Sequence, residues 1–454
     1  MNRMEEYNEL LEELEADTPD LVVSVQKAQR RKNRKRWFYG PMGSIAAVFA
    51  LFVVLVNCST TVAYACSQIP FIRDLAAAVT FSPSLSDAVD NEYVQPMDLV
   101  QEKNGITVKV EALIVDQKQV NIFYRLDSEE YEDLEADPDV LDESGERPAS
   151  CSYGSSSFGL ENGELRHLDV DFIREDVPGA LRLVLKVYSN TPGEVPSAEA
   201  NLWEVPEGPS YLAEFEFLLQ FDPRFTEVGE TIPVGRTLDL DGQKITFTDV
   251  EIYPSHMRVN IEGAPENTAW LKQLDFYILA NGKKKFEPVS NGITATGTLD
   301  SGDFTSYRAD SAYFHDAQKL ELVVTGAEWL DKENSQVWLD LKTGQHDPLP
   351  FGTEFHSAEP CGNGWTVSFR HPYRDEKHTM YNLFSSVYRD AQGTEYYSSM
   401  SSNYFDRDDL NGDQPSNCFI EEFLLGDYPY NEVWLELVKN RSWTAEAPIS
   451  IPIR

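Results

Sequence analysis

Three clusters of titratable side chains set the limits of the chemistry this sequence offers. The run DRDDLNGD supplies Asp406, Asp408, Asp409, Asn411 and Asp413, the hard oxygen donors that calcium takes. Its register departs from an EF-hand: Leu410 falls on the fifth position and Asn411 on the sixth, where the loop needs glycine. Asp, Asn and Gly are first of all turn formers, so these five residues stand only as calcium candidates and no metal or other cofactor is expected. His371 and His378 flank Asp375 and Glu376, but a spacing of seven matches neither a zinc helix nor a two-histidine strand pair. The stretch CSYGSSSFG, beginning at Cys151, lacks the spacing of a nucleophile elbow and reads as a turn. With no G-x-S-x-G, H-E-x-x-H or phosphate loop, the expectation is a protein that is not an enzyme.

The remaining reactive side chains are five cysteines, Cys58, Cys66, Cys151, Cys361 and Cys418, none in a C-x-x-C arrangement. Structural zinc is therefore not expected. Cys361 and Cys418 fall in one expected domain, and whether they bridge depends on a Cα separation that sequence does not give.

A different kind of site lies at the start of the chain. Met4, Tyr7, Leu11 and Leu14 recur at intervals of three and four, one face of a helix, with glutamates around them. Thr18 and Pro19 then read as an N-cap and first-turn proline, opening a second short helix with Leu21, Val22 and Val25 on one side. Residues 1–36 are too few to bury a core of their own. The apolar stripe therefore predicts a partner, either another protein or the inner surface of a membrane, with a solvated tail as the plain alternative.

The next segment predicts that membrane. Residues 37–58, from Trp37 to Cys58, carry no charge, and as a helix would span about 33 Å, enough for one crossing. Lys27, Arg30, Arg31, Lys32, Arg34, Lys35 and Arg36 precede the run, whereas Arg73 is alone among the twenty residues after it. The positive-inside rule then puts the N-terminus in the cytoplasm and the rest of the chain outside, with Trp37, Phe38 and Tyr39 at the inner interface of the lipid bilayer. A cleaved export signal is the rival, because Ala63-Tyr64-Ala65 resembles a cleavage site and Leu55-Val56-Asn57-Cys58 a lipoprotein box. A signal's charged region is a few residues long, whereas 36 residues precede the apolar run here, and Asn57 is a poor residue just before a lipidated cysteine.

Residues 1–36 hold eight basic and eight acidic side chains, so the whole formal charge of −38 belongs to the segment beyond them. Such a field repels nucleic acid, and none is expected as a partner.

Past the membrane segment the apolar period changes to two. In GITVKVEALIVDQKQVNIFYRL, Ile106, Val108, Val110 and Ala112, then Val120, Ile122 and Tyr124, alternate about a polar turn, the pattern of a β-hairpin. Asn104-Gly105 has counterparts in Asp241-Gly242 and Asn363-Gly364, each a turn dipeptide ahead of a strand, at intervals of roughly 120 to 140 residues, about one sandwich apiece. VWLDL at 337–341 and VWLEL at 433–437 echo one another as strand endings. The fold expected is mainly β: short cytoplasmic helices (1–36), one transmembrane helix (37–58), a juxtamembrane helical linker (59–98) and about three tandem β-sandwich domains at 99–222, 232–345 and 352–454. The apolar stretch IPFIRDLAAAVTF in the linker is expected to pack on the first of them.

The stretch STTVAYACSQIPFIRDL, Ser59 to Leu75, resembles the opening of the bacterial domain-of-unknown-function family numbered 4179, in which N-x-S-P-A-F-A precedes I-P-x-I-G-x-L. Ala63-Tyr64-Ala65 stands for A-F-A and Ile69-Pro70-Phe71-Ile72 for the I-P segment, while Thr61 replaces the proline and Arg73 the glycine. The second sandwich is similar in architecture to the immunoglobulin-like domain that often accompanies it. The resemblance implies a single-pass membrane regulator of the anti-sigma-factor type, with a cytoplasmic segment that holds an extracytoplasmic-function sigma factor and outer domains that respond to an envelope ligand or a protease. Met4, Tyr7, Leu11, Leu14 and Leu21 would then be the sigma-factor contacts. No H-x-x-x-C-x-x-C motif is present, because residues 1–36 contain neither His nor Cys. The alternative is a cell-surface binding or adhesion protein with no transcriptional role. An exported hydrolase is a more distant reading and would need paired carboxylates about 5 to 10 Å apart.

Overall fold

The computed structural model describes residues 73–155, 159–189, 210–289, 292–297, 303–373, 380–398, 400–406 and 417–454. The expected cytoplasmic helices and the membrane segment at 37–58 lie outside them. Among the described residues no helix is long and apolar enough to cross a membrane. The architecture is mainly β, and the described residues form six sheets arranged about three apolar cores.

A helical turn at 73–78 leads into the helix Pro83–Asp90. Proline sits in its first turn, and the Ser82 side chain caps it by accepting from the Leu85 N–H at 3.3 Å. Leu85, Ala88 and Val89 form its buried stripe.

The first core is enclosed by strands β1 (Gln95–Lys103), β2 (Ile106–Val115), β3 (Gln119–Ser128), β4 (Leu134–Leu141), β5 (Cys151–Ser155), β6 (Arg166–Phe172), β7 (Ala180–Ser189) and β8 (Ala213–Gln220). They form a sheet ordered β1-β2-β3-β6-β5 and a second ordered β4-β7-β8. Strand β8 shows the period-two logic: Ala213, Phe215, Phe217 and Leu219 are buried, and their alternates are exposed. Strand β3 departs from it, with Gln119, Asn121 and Phe123 as buried as the inward-facing Val120, Ile122 and Tyr124. Both faces of that sheet are covered.

The second core is built from β9 (Glu230–Leu240), β10 (Gln243–Ile252), β11 (Met257–Gly263), β12 (Ala269–Ala280), β13 (Lys284–Phe286), β14 (Ala295–Gly297), β15 (Phe304–Ala309) and β16 (Leu320–Asp331). The third is built from β17 (Gln336–Asp340), β18 (Glu354–Cys361), β19 (Gly364–Pro372), β20 (Phe384–Arg389), β21 (Glu395–Tyr397), β22 (Ser401–Phe405), β23 (Cys418–Leu425) and β24 (Glu432–Leu437). The last strand, β25 (Arg441–Pro452), returns to the second core. It pairs antiparallel with β16 in the sheet β13-β12-β16-β25, with Ile451 and Ile453 buried there. This corrects the expected limits 232–345 and 352–454. Strand β17 already belongs to the third sheet pair, and that pair is inserted between β16 and β25.

The turn dipeptides divide unequally. Asn104-Gly105 and Asp241-Gly242 have positive φ at both positions and close two-residue hairpins, as a type I′ turn requires. In the third hairpin Cys361 pairs with Gly364, so the turn residues are Gly362-Asn363 and only Gly362 has positive φ. Gly364 is a strand residue whose Cβ would lie 1.8 Å from the Leu425 carbonyl oxygen, a close approach that only glycine permits. The echoed VWLDL and VWLEL prove to be antiparallel neighbours, with Trp338 opposite Trp434.

Candidate functional site

The buried outer face of β3 and β6 meets the second sheet pair in a polar joint. Strand alternation puts Gln119 and Asn121 of β3 beside His167 and Asp171 of β6, on the side away from Ile122, Leu168 and Val170. Asp171 accepts from Gln119 Nε2 at 3.1 Å and from the Ile293 N–H at 3.0 Å, and forms an ion pair with Arg308 of β15. Both members of that pair are at most 2% exposed, so each depends on the other for compensation.

A second set of bonds starts at the turn between β2 and β3. Asp116 accepts from the N–H groups of Lys118 (3.0 Å) and Gln119 (2.9 Å) through one oxygen, and from the N–H and Oγ of Ser255 (2.9 and 2.5 Å) through the other. Ser255 Oγ meets His256 Nδ1 at 2.7 Å, and Arg258 Nε donates to His256 Nε2 at 3.0 Å. The Nε2 nitrogen is therefore an acceptor, which places the ring proton on Nδ1. Burial and the neighbouring Arg308, Arg258 and Lys118 hold His256 well below the ordinary histidine range, so it is neutral at pH 7. Arg258 closes the joint by donating to the carbonyls of Ile173 (3.2 Å) and Phe172 (2.9 Å). Desolvation and the facing Arg308 push its guanidinium down to about 10.

Serine, histidine and aspartate in one chain of bonds suggest a hydrolytic triad, but the order is wrong. A triad needs histidine between serine and carboxylate with Nε2 free to take the serine proton. Here Ser255 is the middle member, His256 Nε2 is committed to Arg258, and all three side chains are fully buried. This cluster holds two sheet pairs together and offers no nucleophile. Beside it opens a cleft of about 430 Å³, lined by Lys118, Arg174 and Arg258 opposite Glu251 and Glu262.

The segment that leads into the first sheet pair is fastened to both sides of the joint. Asp74 pairs with Arg125 at 2.9 Å, and Phe81 lies against His167 with ring centroids 5.4 Å apart. Ser84 donates to Asp310 at 2.9 Å and accepts from the Ser311 N–H at 2.8 Å, while Asp87 meets His315 at 2.8 Å. The linker thus packs on the second sheet pair as well as on the first, where alone it was expected.

The sequence-derived candidates do not converge on this joint. Asp406 is buried, with one carboxylate oxygen accepting from Arg370 Nε at 2.6 Å. Asp408, Asp409, Asn411 and Asp413 lie outside the described residues, as do Met4, Tyr7, Leu11, Leu14 and Leu21. Among the described residues no group of three or more His, Cys, Asp or Glu side chains is arranged to hold a metal ion. His371 is buried at 3.0 Å from Glu421 and stacked on Phe419; His378, Asp375 and Glu376 are outside the described residues. Cys361 and Cys418 sit against opposite ends of β19, about 25 Å apart along the strand and too far to bridge. Sequence reading missed the joint. Its one signal was a set of polar residues, Gln119 and Asn121, at the alternate positions of an apolar strand, which look like a solvated face.

Residues 33–128 match the family model "Domain of unknown function (DUF4179)", a stretch that runs from the basic segment to the end of β3. The chain carries a DUF4179 domain. Residues 229–351 match a second model, "Family of unknown function (DUF5643)", which begins at β9 and ends just before β18. No curated protein matches the chain. A solved structure described as the conserved domain protein from Bacillus anthracis is similar at 13% identity over 56% of this chain and 85% of its own, with a TM-score of 0.37, too distant a likeness to argue from.

Proposed function

We propose that this DUF4179 protein is a single-pass membrane regulator whose cytoplasmic N-terminal segment sequesters an extracytoplasmic-function sigma factor while its outer β domains, immunoglobulin-like in the second pair, respond to an envelope ligand or a protease. The observation that carries the reading is the extent of the DUF4179 match. It takes in the end of the basic flank (Arg34, Lys35 and Arg36), the predicted membrane segment and the first three strands as one unit, which supports reading the expected anchor and the start of the β region together. The fastening of residues 74–87 to both sheet pairs supports a signalling role, because a rearrangement of the joint would be felt by the chain leading to the membrane. The stripe of Met4, Tyr7, Leu11, Leu14 and Leu21 supplies an apolar surface for the sigma factor. The acidic outer part has no use for nucleic acid, and the bilayer is the other partner.

The test is capture from membranes with the full chain as bait, read by mass spectrometry. A sigma factor retained by the natural chain and lost with Leu11→Ala and Leu14→Ala together supports the proposal; undiminished capture by that variant rules out the stripe as the contact. The adhesion reading gains weight from one observation, the exposed aromatic side chains of the third sheet pair.

A further inference from the structure

Strand β11 carries Arg258, Asn260 and Glu262 on the face turned away from the second core, since Val259 and Ile261 point into it. All three line the cleft of about 430 Å³ beside the joint. Across its floor Thr296 of β14, Ser306 of β15 and Asn260 lie side by side, a neutral row of hydroxyl and amide groups. The charges of the cleft are incompletely matched. Arg258 is 4% exposed, yet its bonds go to a neutral histidine and two carbonyls, and Glu251, across from it on β10, lies beyond ion-pair distance. A buried cation held by neutral acceptors alone is costly. Lys118 is already held by Asp176 at 2.7 Å, whereas the exposed Arg174, on the wall from the first sheet pair, forms no ion pair among the described residues. Glu262, also exposed, is unpaired among them as well, roughly 13 Å from Arg258 along β11.

We propose that this cleft binds a short zwitterionic peptide of about three residues, with its carboxylate on Arg174 and Arg258 and its ammonium on Glu262. The uncompensated guanidinium at one end selects an anion, and a carboxylate is the anion that meets neighbouring N–H groups in pairs. Glu251 and Glu262 in the same lining turn away a ligand of higher negative charge, as does the chain's own net charge of −38. An extended tripeptide spans about 10 Å, close to the interval from Arg258 to Glu262, and lays its amides along the row of Asn260, Ser306 and Thr296. The Ser306 hydroxyl is buried without a hydrogen-bond partner and gains one by turning about χ1. Among the described residues the apolar lining is Ile173 and Ile261, with no aromatic ring, which suits small side chains. One wall belongs to the first sheet pair and the other to the second, so the occupant bridges the joint. The inference deepens the envelope-ligand reading and rests on it for the place where the peptide is met.

The experiment is calorimetric titration of the full chain, in a nonionic detergent, with trialanine, trialanine amide, N-acetyl-trialanine and inorganic phosphate. Saturable binding of trialanine is expected, abolished by amidation and weakened about tenfold by N-acetylation. Arg174→Ala and Glu262→Gln should each weaken it about tenfold at unchanged melting temperature, because both side chains are exposed and unpaired in the free protein. These two are preferred to Arg258→Ala, which would also loosen the joint. Absence of saturable binding overturns the proposal, as does binding left at full strength by amidation, by N-acetylation or by either substitution. Phosphate bound as tightly as trialanine overturns it too, since that marks a general anion site. Residues 1–36 play no part in the titration, so its failure leaves the sigma-factor capture standing, and failure of the capture leaves the cleft's ligand standing.

Discussion

The two joints of the molecule solve one problem by different means. Between the first and second sheet pairs, a single chain connection runs through the short helical turn Pro223–Thr226, and orientation is set by buried charge: Asp171 with Arg308, and Asp116 with Ser255. Between the second and third pairs the chain passes twice, out after β16 and back into β25, and the two passages are pinned by Arg441 to Asp331 at 3.1 Å and by the Asp331 N–H to Asn440 at 3.0 Å. Leu330 is shared with the third core and Trp270 packs against it. A joint with one covalent tie needs directional bonds to fix its geometry. With two ties, connectivity supplies most of that constraint, and the ions there can stay near water.

The sharpest way to break the contrast is Arg308→Ala, which leaves the buried Asp171 without its ion-pair partner. A loss of about 3 to 5 kcal/mol is expected in denaturant unfolding, whereas Arg308→Met with Asp171→Leu should cost much less, because both charges leave together.

A smaller, pH-dependent effect comes from Asp169, which burial and the neighbouring Asp171 push up to about 7 from an ordinary value of 3.8. The fold favours its neutral form. That contribution is complete below about pH 4 and disappears as the pH rises through about 7. The denaturation midpoint should therefore fall between mildly acidic and mildly alkaline buffer, and Asp169→Asn should flatten that part of the profile; an equal slope in the variant would remove Asp169 as the cause.

The smallest effect is expected at the doubly tied joint. Arg441→Ala removes ion pairs to Asp331 and Asp241 whose partners are all about one-third exposed, and should shift stability by no more than about 1 kcal/mol. A loss as large as that of Arg308→Ala would erase the distinction between the joints.

Much of the β architecture was legible in the sequence because it is local. Asn104-Gly105 and Asp241-Gly242 announce their hairpins through the positive φ that such turns demand. The third hairpin misled by one residue, since a glycine stands on both sides of Asn363 and sequence does not say which one makes the turn. Strand partnership was not legible. Alternation says which face of β17, β24 or β25 is apolar but not which core that face joins, so an insertion read as a tandem repeat. The polar joint was hidden for a related reason: Gln119 and Asn121 on alternate positions have the signature of exposure, and only the arrival of a second sheet pair turns them into interior groups.

The return of β25 makes the third sheet pair a side branch. A pull between the linker at Asp74 and the C-terminus would load the second sheet pair through β16 and β25 without passing through strands β17 to β24. The branch is also detachable in principle: because Asp331 and Arg441 already lie side by side, residues 332–440 could be excised and the ends rejoined with the second core whole. A simple truncation of the C-terminal quarter would instead strip β16 of its edge partner and damage two units while seeming to remove one.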